Sequence, residues 1–196
     1  MAKIKAARNG SKKDVITQKA AALFRKKGFA GSSMRELAET IGVEAPSLYN
    51  HIGSKSEILQ TICFKIASEF NEHLAEIEET TTPVLDKLEK LIRFHINIML
   101  NEYDEVYVAN HEWKQLQEPF LGNFLIQRKA YESRMVKMIE QGVKNKELKT
   151  IHPYVAVLTI LSALRGLESW HRHRKNIQIS KLENDMVLHL LTGLTK

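Results

Sequence analysis

The side chains best placed to do chemistry in this 196-residue chain lie together in one stretch, Ser33-Met-Arg-Glu-Leu-Ala-Glu-Thr-Ile-Gly-Val-Glu-Ala-Pro-Ser-Leu-Tyr-Asn-His-Ile52. Ser33 is a strong helix N-cap, and Glu36 three residues later completes a capping box. Met34, Leu37, Ala38 and Ile41 repeat at i, i+3, i+4, i+7, the pattern of one buried helix stripe. Gly42 supplies the turn that ends this helix. Glu44-Ala-Pro-Ser47 starts a second helix, with Pro46 tolerated in its first turn. Only Val43 and Leu48 are core-facing there, which leaves Ala45, Ser47, Tyr49, Asn50 and His51 pointing outward. One anchoring helix beside one helix with a free polar face is what groove recognition in double-stranded DNA requires.

The charge pattern agrees. Residues 1–60 hold eleven Lys/Arg against five Asp/Glu, while the remainder holds eighteen of each, so the whole formal charge of +6 sits in the segment with the helix pair. Nine basic side chains fall within the first 27 residues against Asp14 alone. Such a cluster is the electrostatic footprint of a polyanion partner. By itself a basic run more often means a solvated surface; its coincidence with the helix pair is what favours DNA.

The elements that must position this segment read as helices throughout, and no stretch alternates like a strand. Residues 1–11 form a flexible basic arm. Lys12 to Lys27 is a first helix, with Val15, Ile16, Ala20, Leu23 and Phe24 on one face and Gly28 as its stop. Ser54 and Glu57 open a long helix to about Glu79, striped by Ile58, Leu59, Ile62, Ile66, Phe70, Leu74 and Ile77. Pro83 opens a fifth helix with Leu85, Leu88, Leu91, Ile92, His95, Ile96 and Met99 inward. Tyr103–Leu116, Phe120–Gly142, Pro153–Arg174 and Ser180–Leu191 complete about nine helices. Cys63 is the only cysteine, which excludes an intrachain disulfide framework and fits a reducing, cytoplasmic setting. The basic N-terminus lacks the apolar stretch of a signal peptide, and the longest apolar block, Tyr154 to Leu164, is too short to span a bilayer.

The first sixty residues resemble the DNA-binding domain of the TetR family of bacterial transcriptional regulators. The resemblance rests on Ala20-Ala-Ala-Leu-Phe24, Gly28-Phe29, Ser33-Met-Arg-Glu-Leu-Ala38, Ile41-Gly-Val43, Leu48-Tyr49, His51 and Lys55. Asn50 departs from the aromatic or His usual there, and Ile52 replaces the usual Phe. The resemblance implies an all-α dimer with three parts: the arm at 1–11, a helix-turn-helix DNA-binding domain at 12–55 (motif 33–52), and a ligand-binding and dimerisation domain at 56–196. Two reading helices would then enter successive major grooves of a palindromic operator, roughly 34–36 Å apart. By carry-over, Ser33, Tyr49, His51 and Lys55 grip phosphates, while Glu44, Ala45, Pro46, Ser47 and Asn50 face base edges. Ala45 and Pro46 suit a thymine methyl; Ser47 and Asn50 suit polar base edges.

The C-terminal part resembles, at spaced positions, regulators of fatty-acid, phenylacetate or steroid catabolism. The matching residues are Glu112-Trp113, Leu116, Arg128-Lys-Ala-Tyr131, Ile139-Glu-Gln-Gly142, Ala163-Leu-Arg-Gly166 and Trp170. This implies a small hydrophobic effector, acyl-CoA thioesters among the candidates. Ile92, Ile96, Met99, Trp113, Phe124, Leu158 and Leu161 would line an apolar tunnel, with His95 as a polar group. Arg128, Lys129, Arg134, Arg172 or Arg174 would meet a nucleotide's phosphates, and Arg165 belongs to the same expected ligand-binding set. Taken one at a time, these residues are more simply bundle core and solvated faces. The helices within 153–191 are expected to pair two copies as a four-helix bundle.

Other constellations carry less. His171-Arg-His-Arg-Lys175 puts its histidines at i and i+2, on different sides of a helix, a poor chelate. No metal site, phosphate loop or nucleophile elbow is read, so no cofactor and no catalytic residue are expected. The expected function is a ligand-responsive repressor released from its operator by the effector. The alternative is a non-specific architectural DNA-binding protein.

Overall fold

The structure, a computed structural model, describes residues 11–173 and 177–195. The expected arm therefore lies outside the described residues except for Ser11. So do Arg174 and Lys175 of the basic run and the side chain of Arg172. The described residues form ten α-helices and one 3-10 turn, without a strand: α1 Lys12–Lys27, α2 Met34–Ile41, α3 Ala45–Tyr49, α4 Lys55–Glu79, α5 Val84–Asn101, α6 Tyr103–His111, the 3-10 turn Trp113–Gln115, α7 Phe120–Lys144, α8 Pro153–Arg165, α9 Leu167–His173 and α10 Ile179–Thr192. The all-α fold expected from the sequence is the fold observed.

Local chemistry explains the early boundaries. Ser11 and Asp14 form a capping box that starts α1, and Gly28 ends it at φ 76°. Ser33 and Glu36 form the box expected at α2, and Gly42 closes that helix in the left-handed region at φ 79°, ψ 34°. Ser54 Oγ accepts the Glu57 amide at the head of α4, but the returning carboxylate oxygen accepts from Gly53 N, not from the cap itself.

Two later helices are shorter than periodicity predicts. The helix expected over Tyr103–Leu116 stops at His111 and tightens into the 3-10 turn, whose exit residue Leu116 is extended at ψ 139° and buried. The helix expected to run unbroken from Pro153 is interrupted at Gly166, where the chain re-enters as α9. A Cβ at Gly166 would lie 3.0 Å from the carbonyl oxygen of Ala163, so a side chain is disfavoured at that joint.

The chain divides into two compact units, one of Met1–Ser68 with Asp104–Leu125 and one of Glu69–Tyr103 with Ile126–Lys196. The first unit is larger than the head expected at 12–55. Its core joins Ile16, Ala20, Phe24, Leu37, Leu48, Ile52, Ile58, Leu59, Ile62 and Cys63 to Val108, Leu116 and Phe124. Cys63 is thus a buried core residue. In the second unit α8, α9 and α10 each pack on α5, whose Leu88, Leu91, Ile92 and Ile96 are fully buried. Among the described residues no helix is long and apolar enough to cross a membrane.

Candidate functional site

Leu48 is the anchor of α3, the helix expected to read DNA. It is fully buried, while Tyr49, the next residue on the same short helix, is 51% exposed. With Leu48 inward, the pitch of α3 leaves Glu44, Pro46, Tyr49 and Asn50 exposed, and Ser47 and His51 partly so. Asn50 continues αR backbone at φ −66°, so the polar surface runs on past Tyr49 as a single ridge. Pro46 at the second helical position removes an amide that would have had no intrahelical partner. The outward set expected from the sequence is therefore present, with one correction. Ala45 is partly buried and packs against the head's core together with Val43, so it stands less free than the residues of the exposed ridge.

Two expected phosphate contacts have other duties. The Ser33 hydroxyl accepts the Glu36 amide at 3.2 Å and donates to the Glu36 carboxylate at 3.0 Å, so its one proton is used in the cap. The Lys55 ammonium donates to the carbonyl oxygens of Phe29 and Ser32 at 2.7 and 2.8 Å. It also lies 4.4 Å from the centroid of the Phe29 ring. Sequence reasoning missed this role, since no pattern links residue 55 to the loop at 29–32.

Ion pairs complete the head. Lys13 pairs with Glu57 at 3.1 Å, and Glu57 also accepts the Gly53 amide, an arrangement that holds its carboxyl below the usual range. Lys27 pairs with Glu36, and Arg25 with Asp104. These pairs are solvent-accessible and add little stability individually.

The second unit contains a different site. His95 Nε2 lies 2.7 Å from the Tyr131 hydroxyl, and the His95 ring stacks on Phe70 at 4.3 Å. Phe70 meets Phe94 edge-on at 5.8 Å, and His73 stacks on Phe94 at 3.8 Å. Ile92, Ile96 and Met99 are buried on the same helix as His95. Two buried ring nitrogens, His73 Nε2 and Trp170 Nε1, have no hydrogen-bond partner among the described residues.

The expected effector residues are only partly brought together. Trp113 packs against the core of the first unit and Phe124 is part of it, 6.4 Å apart by ring centroids, within the Asp104–Leu125 segment that belongs to that unit. Leu158 is 48% exposed on the outer side of α8, so it does not line the interior of this protomer. Leu161 is half-buried and Arg165 exposed, although the Arg165 charge is felt at His95. Arg128 is half-buried on α7. Arg134 is engaged by Glu78, at 2.6 Å, and by Asn71. Phe70, His73, Phe94 and Tyr131 surround His95 without being among the effector residues expected from the sequence; the histidine and aromatics on α4 and α5 were the available signal for the first three. Among the described residues no cluster of His, Cys, Asp and Glu could hold a metal ion.

Part of His95 remains exposed, yet its ring is enclosed by Phe70 and Tyr131. Burial lowers its pKa from 6.5 to about 3, and repulsion from His73 and Arg165 adds to the shift. Burial also raises the Tyr131 phenol. A histidine that protonates more readily when unfolded stabilises the fold fully above pH 6.5, and that contribution is lost as the pH falls toward 3. The expected result is a melting temperature that drops between pH 7 and 4.5, with His95 contributing at most about 1.4 kcal/mol per pH unit. The fall should be shallower in His95→Gln. Identical slopes in the two proteins would show that His95 titrates as if free.

Comparison with known proteins extends these observations. Residues 16–62 match the model for bacterial regulatory proteins of the tetR family, and residues 81–194 match that for the tetracyclin repressor-like C-terminal domain. The repressor KstR2 of Mycobacterium tuberculosis is 19% identical over 193 residues, covering 95% of this chain and 94% of that protein. The KstR2 of Mycolicibacterium smegmatis is 25% identical over 134 residues, 68% of this chain and 65% of that protein. Among solved structures, M. tuberculosis KstR2, a ketosteroid transcriptional regulator, superposes with a TM-score of 0.87 at 19% identity, over 99% of this chain and all of that one. AibR in complex with isovaleryl coenzyme A and operator DNA gives 0.77 at 21% identity, over 89% and 95% of the two chains.

Proposed function

The chain belongs to the TetR family of bacterial transcriptional regulators, and from that premise we propose that it is a dimeric repressor released from a palindromic operator by a small hydrophobic effector. One observation carries this reading: a five-residue helix anchored by a single buried leucine presents Glu44, Pro46, Tyr49 and Asn50 as an exposed ridge on the basic end of the chain. Pro46, Ser47 and Asn50 read base edges; Tyr49 and His51 contact phosphates. Glu44 accepts from a cytosine amine.

The proposed dimer forms through α8 and α10. Tyr154, Val155 and Leu158 on α8 and Leu188 on α10 are all about half exposed or more, and both helices pack on α5 by their opposite faces. A two-fold pairing of these outer faces buries them against their own copies.

The effector site centres on His95, Tyr131, His73 and the apolar residues Ile92, Ile96 and Met99. A neutral imidazole, a phenol and an orphaned ring nitrogen suit a ligand with an apolar body and an accepting carbonyl. Acyl-CoA thioesters meet that description, and isovaleryl coenzyme A is bound by AibR, a protein of the same fold. Because α4 runs unbroken from Lys55 to Glu79, from the head into the second unit, effector and operator are coupled through it, each weakening the other by the same factor.

A gel-shift titration with the DNA beside the protein's own gene tests the reading. Binding should outlast a hundredfold excess of unrelated duplex and fall steeply with salt. Equal competition by unrelated DNA would favour the architectural alternative. A thermal-shift screen with acyl-CoA esters should find one that raises the melting temperature, by about 2.7 kcal/mol of stabilisation at a hundredfold excess over its Kd. The same ester should then weaken the operator shift.

A further inference from the structure

We propose that Arg134 is a positioning residue for the coupling of effector to operator: its guanidinium locks α7 to α4 beside the effector site, so that occupancy of the site displaces α4 instead of being taken up between the two helices. This rests on the effector and operator reading above. Arg134 lies on α7 and reaches α4 at two places. Nε donates to both carboxylate oxygens of Glu78, at 3.2 and 3.1 Å, and Nη2 donates to one of them at 2.6 Å. Nη1 lies 3.4 Å from the backbone carbonyl oxygen of Asn71 and 3.4 Å from its side-chain oxygen. Asn71 and Glu78 are two helical turns apart, on one face of α4. The Arg134 and Glu78 side chains are 28% and 38% exposed, so the pair is partly shielded from water.

The clasp sits where the aromatic cluster is built. Phe70 immediately precedes Asn71, and His73 lies between the two clasped residues; their rings stack on His95 at 4.3 Å and on Phe94 at 3.8 Å. On α7, Tyr131 is one turn before Arg134 and on the same side of the helix. Its hydroxyl lies 2.7 Å from His95 Nε2, and its ring centroid 6.0 Å from that of Phe70. The aromatic contact and the ionic contact between α4 and α7 therefore share one pair of helix faces. A ligand entering beside Phe70 and Tyr131 pushes on both helices. Were they free to slide past each other, the push would end there. A forked guanidinium–carboxylate pair fixes orientation as well as distance, and the added contact at Asn71 fixes the register along α4. Helices held in this way move as one body, and α4 runs on without a break to Lys55.

The coupling factor, the ratio of operator affinities without and with effector, reads this role directly. Isovaleryl coenzyme A is the probe. Arg134→Met keeps the aliphatic stem and removes the fork; Arg134→Lys keeps the charge without the fork; Arg134→Glu combined with Glu78→Arg rebuilds the pair with its ends exchanged. The proposal expects Arg134→Met to bind operator and probe, each alone, within about twofold of the wild type, and to lose a factor of about 2–30 in coupling. Arg134→Lys should lose coupling too, and the exchanged pair should regain part of it. A wild-type coupling factor in Arg134→Met overturns the proposal whatever happens to the melting temperature, because an arginine that only stabilises the fold would leave that ratio alone. Loss of probe binding in a folded Arg134→Met protein also overturns it, since the arginine would then be a ligand contact. If Arg134→Met fails to fold, Glu78→Gln, which removes the partner's charge and keeps an acceptor, carries the same comparison. If the wild type ignores the probe, the opposite direction decides, since coupling is reciprocal. With 3-fluorotyrosine in place of tyrosine, and the Tyr131 resonance assigned through Tyr131→Phe, operator should shift that resonance in the wild type and leave it in place in Arg134→Met. Equal shifts in both proteins, or none in the wild type, overturn the proposal. A wild type that binds no operator at all sinks the underlying reading, and the proposal with it.

Discussion

Replacing Leu158 and Leu188 together by glutamate should convert the dimer to a monomer and lower operator affinity by at least a hundredfold. Leu158 is 48% and Leu188 67% exposed in the protomer, so neither substitution opens a cavity in it. Helix content and the core on α5 should survive, since surface changes of this kind shift stability by about 0.5 kcal/mol or less. In the proposed two-fold interface each substitution appears twice, which places four carboxylates in an apolar contact. Each buried, unpaired charge costs several kcal/mol, far more than a standard interface can absorb. Two reading heads no longer tied together then bind their half-sites independently, and the gain from linked binding disappears. Sedimentation velocity at micromolar concentration checks the assembly, and an operator titration checks the affinity. A dimer that persists would place the interface elsewhere.

The second large effect concerns the reading ridge. Tyr49→Ala combined with Asn50→Ala should weaken operator binding about a hundredfold at fixed salt while leaving the melting temperature within a few degrees of the wild type. Tyr49 is 51% exposed and Asn50 exposed, so the head loses little packing. Each direct contact to a base or backbone is worth about 1–3 kcal/mol. The same pair of changes should narrow the preference over unrelated duplex, because Asn50 is proposed to read a base edge. Leu48→Ala makes the contrast: Leu48 is fully buried, and its truncation should cost about 2–5 kcal/mol of stability. Lost binding with an intact fold identifies contact residues; lost binding with a lost fold identifies the scaffold.

The two sites differ in how their chemistry responds to pH. The lowered pKa of His95 keeps its ring neutral at pH 7, so an accepting ligand at the proposed effector site would meet no formal charge from that ring. The head relies on permanent cations and should keep its salt dependence across the same range. Effector release that changed sharply between pH 6 and 8 would mean that His95 is not held neutral when ligand binds.

Much of the head was legible in the residues alone. The bounds of α1, α2 and α4 follow from Ser33, Gly28, Gly42 and Ser54 and from the apolar stripes between them, since a cap and its partner lie within one helical turn. The exposed ridge followed from the isolation of Leu48 in a polar segment. The Ser11 cap is not legible in the sequence, because the basic residues before it have the composition of a tail.

What the tertiary structure alone decided concerns partners distant in the chain. Periodicity marks an apolar face but does not say which surface will cover it. Trp113 and Phe124 read as effector lining or, taken singly, more simply as bundle core, and packing places Phe124 in the core of the first unit with Trp113 against it. Leu158 read as interior and stands outside. Gly166 read as part of a continuous helix, because one glycine in an apolar run signals a break only when the chain must change direction there. Lys55 and the carbonyls of Phe29 and Ser32 are separated by more than twenty residues, and no local rule brings an ammonium to a particular carbonyl over that span. Hydrogen bonding within a turn is written in adjacent residues; the meeting of remote groups depends on how whole helices pack, and only the folded chain displays it.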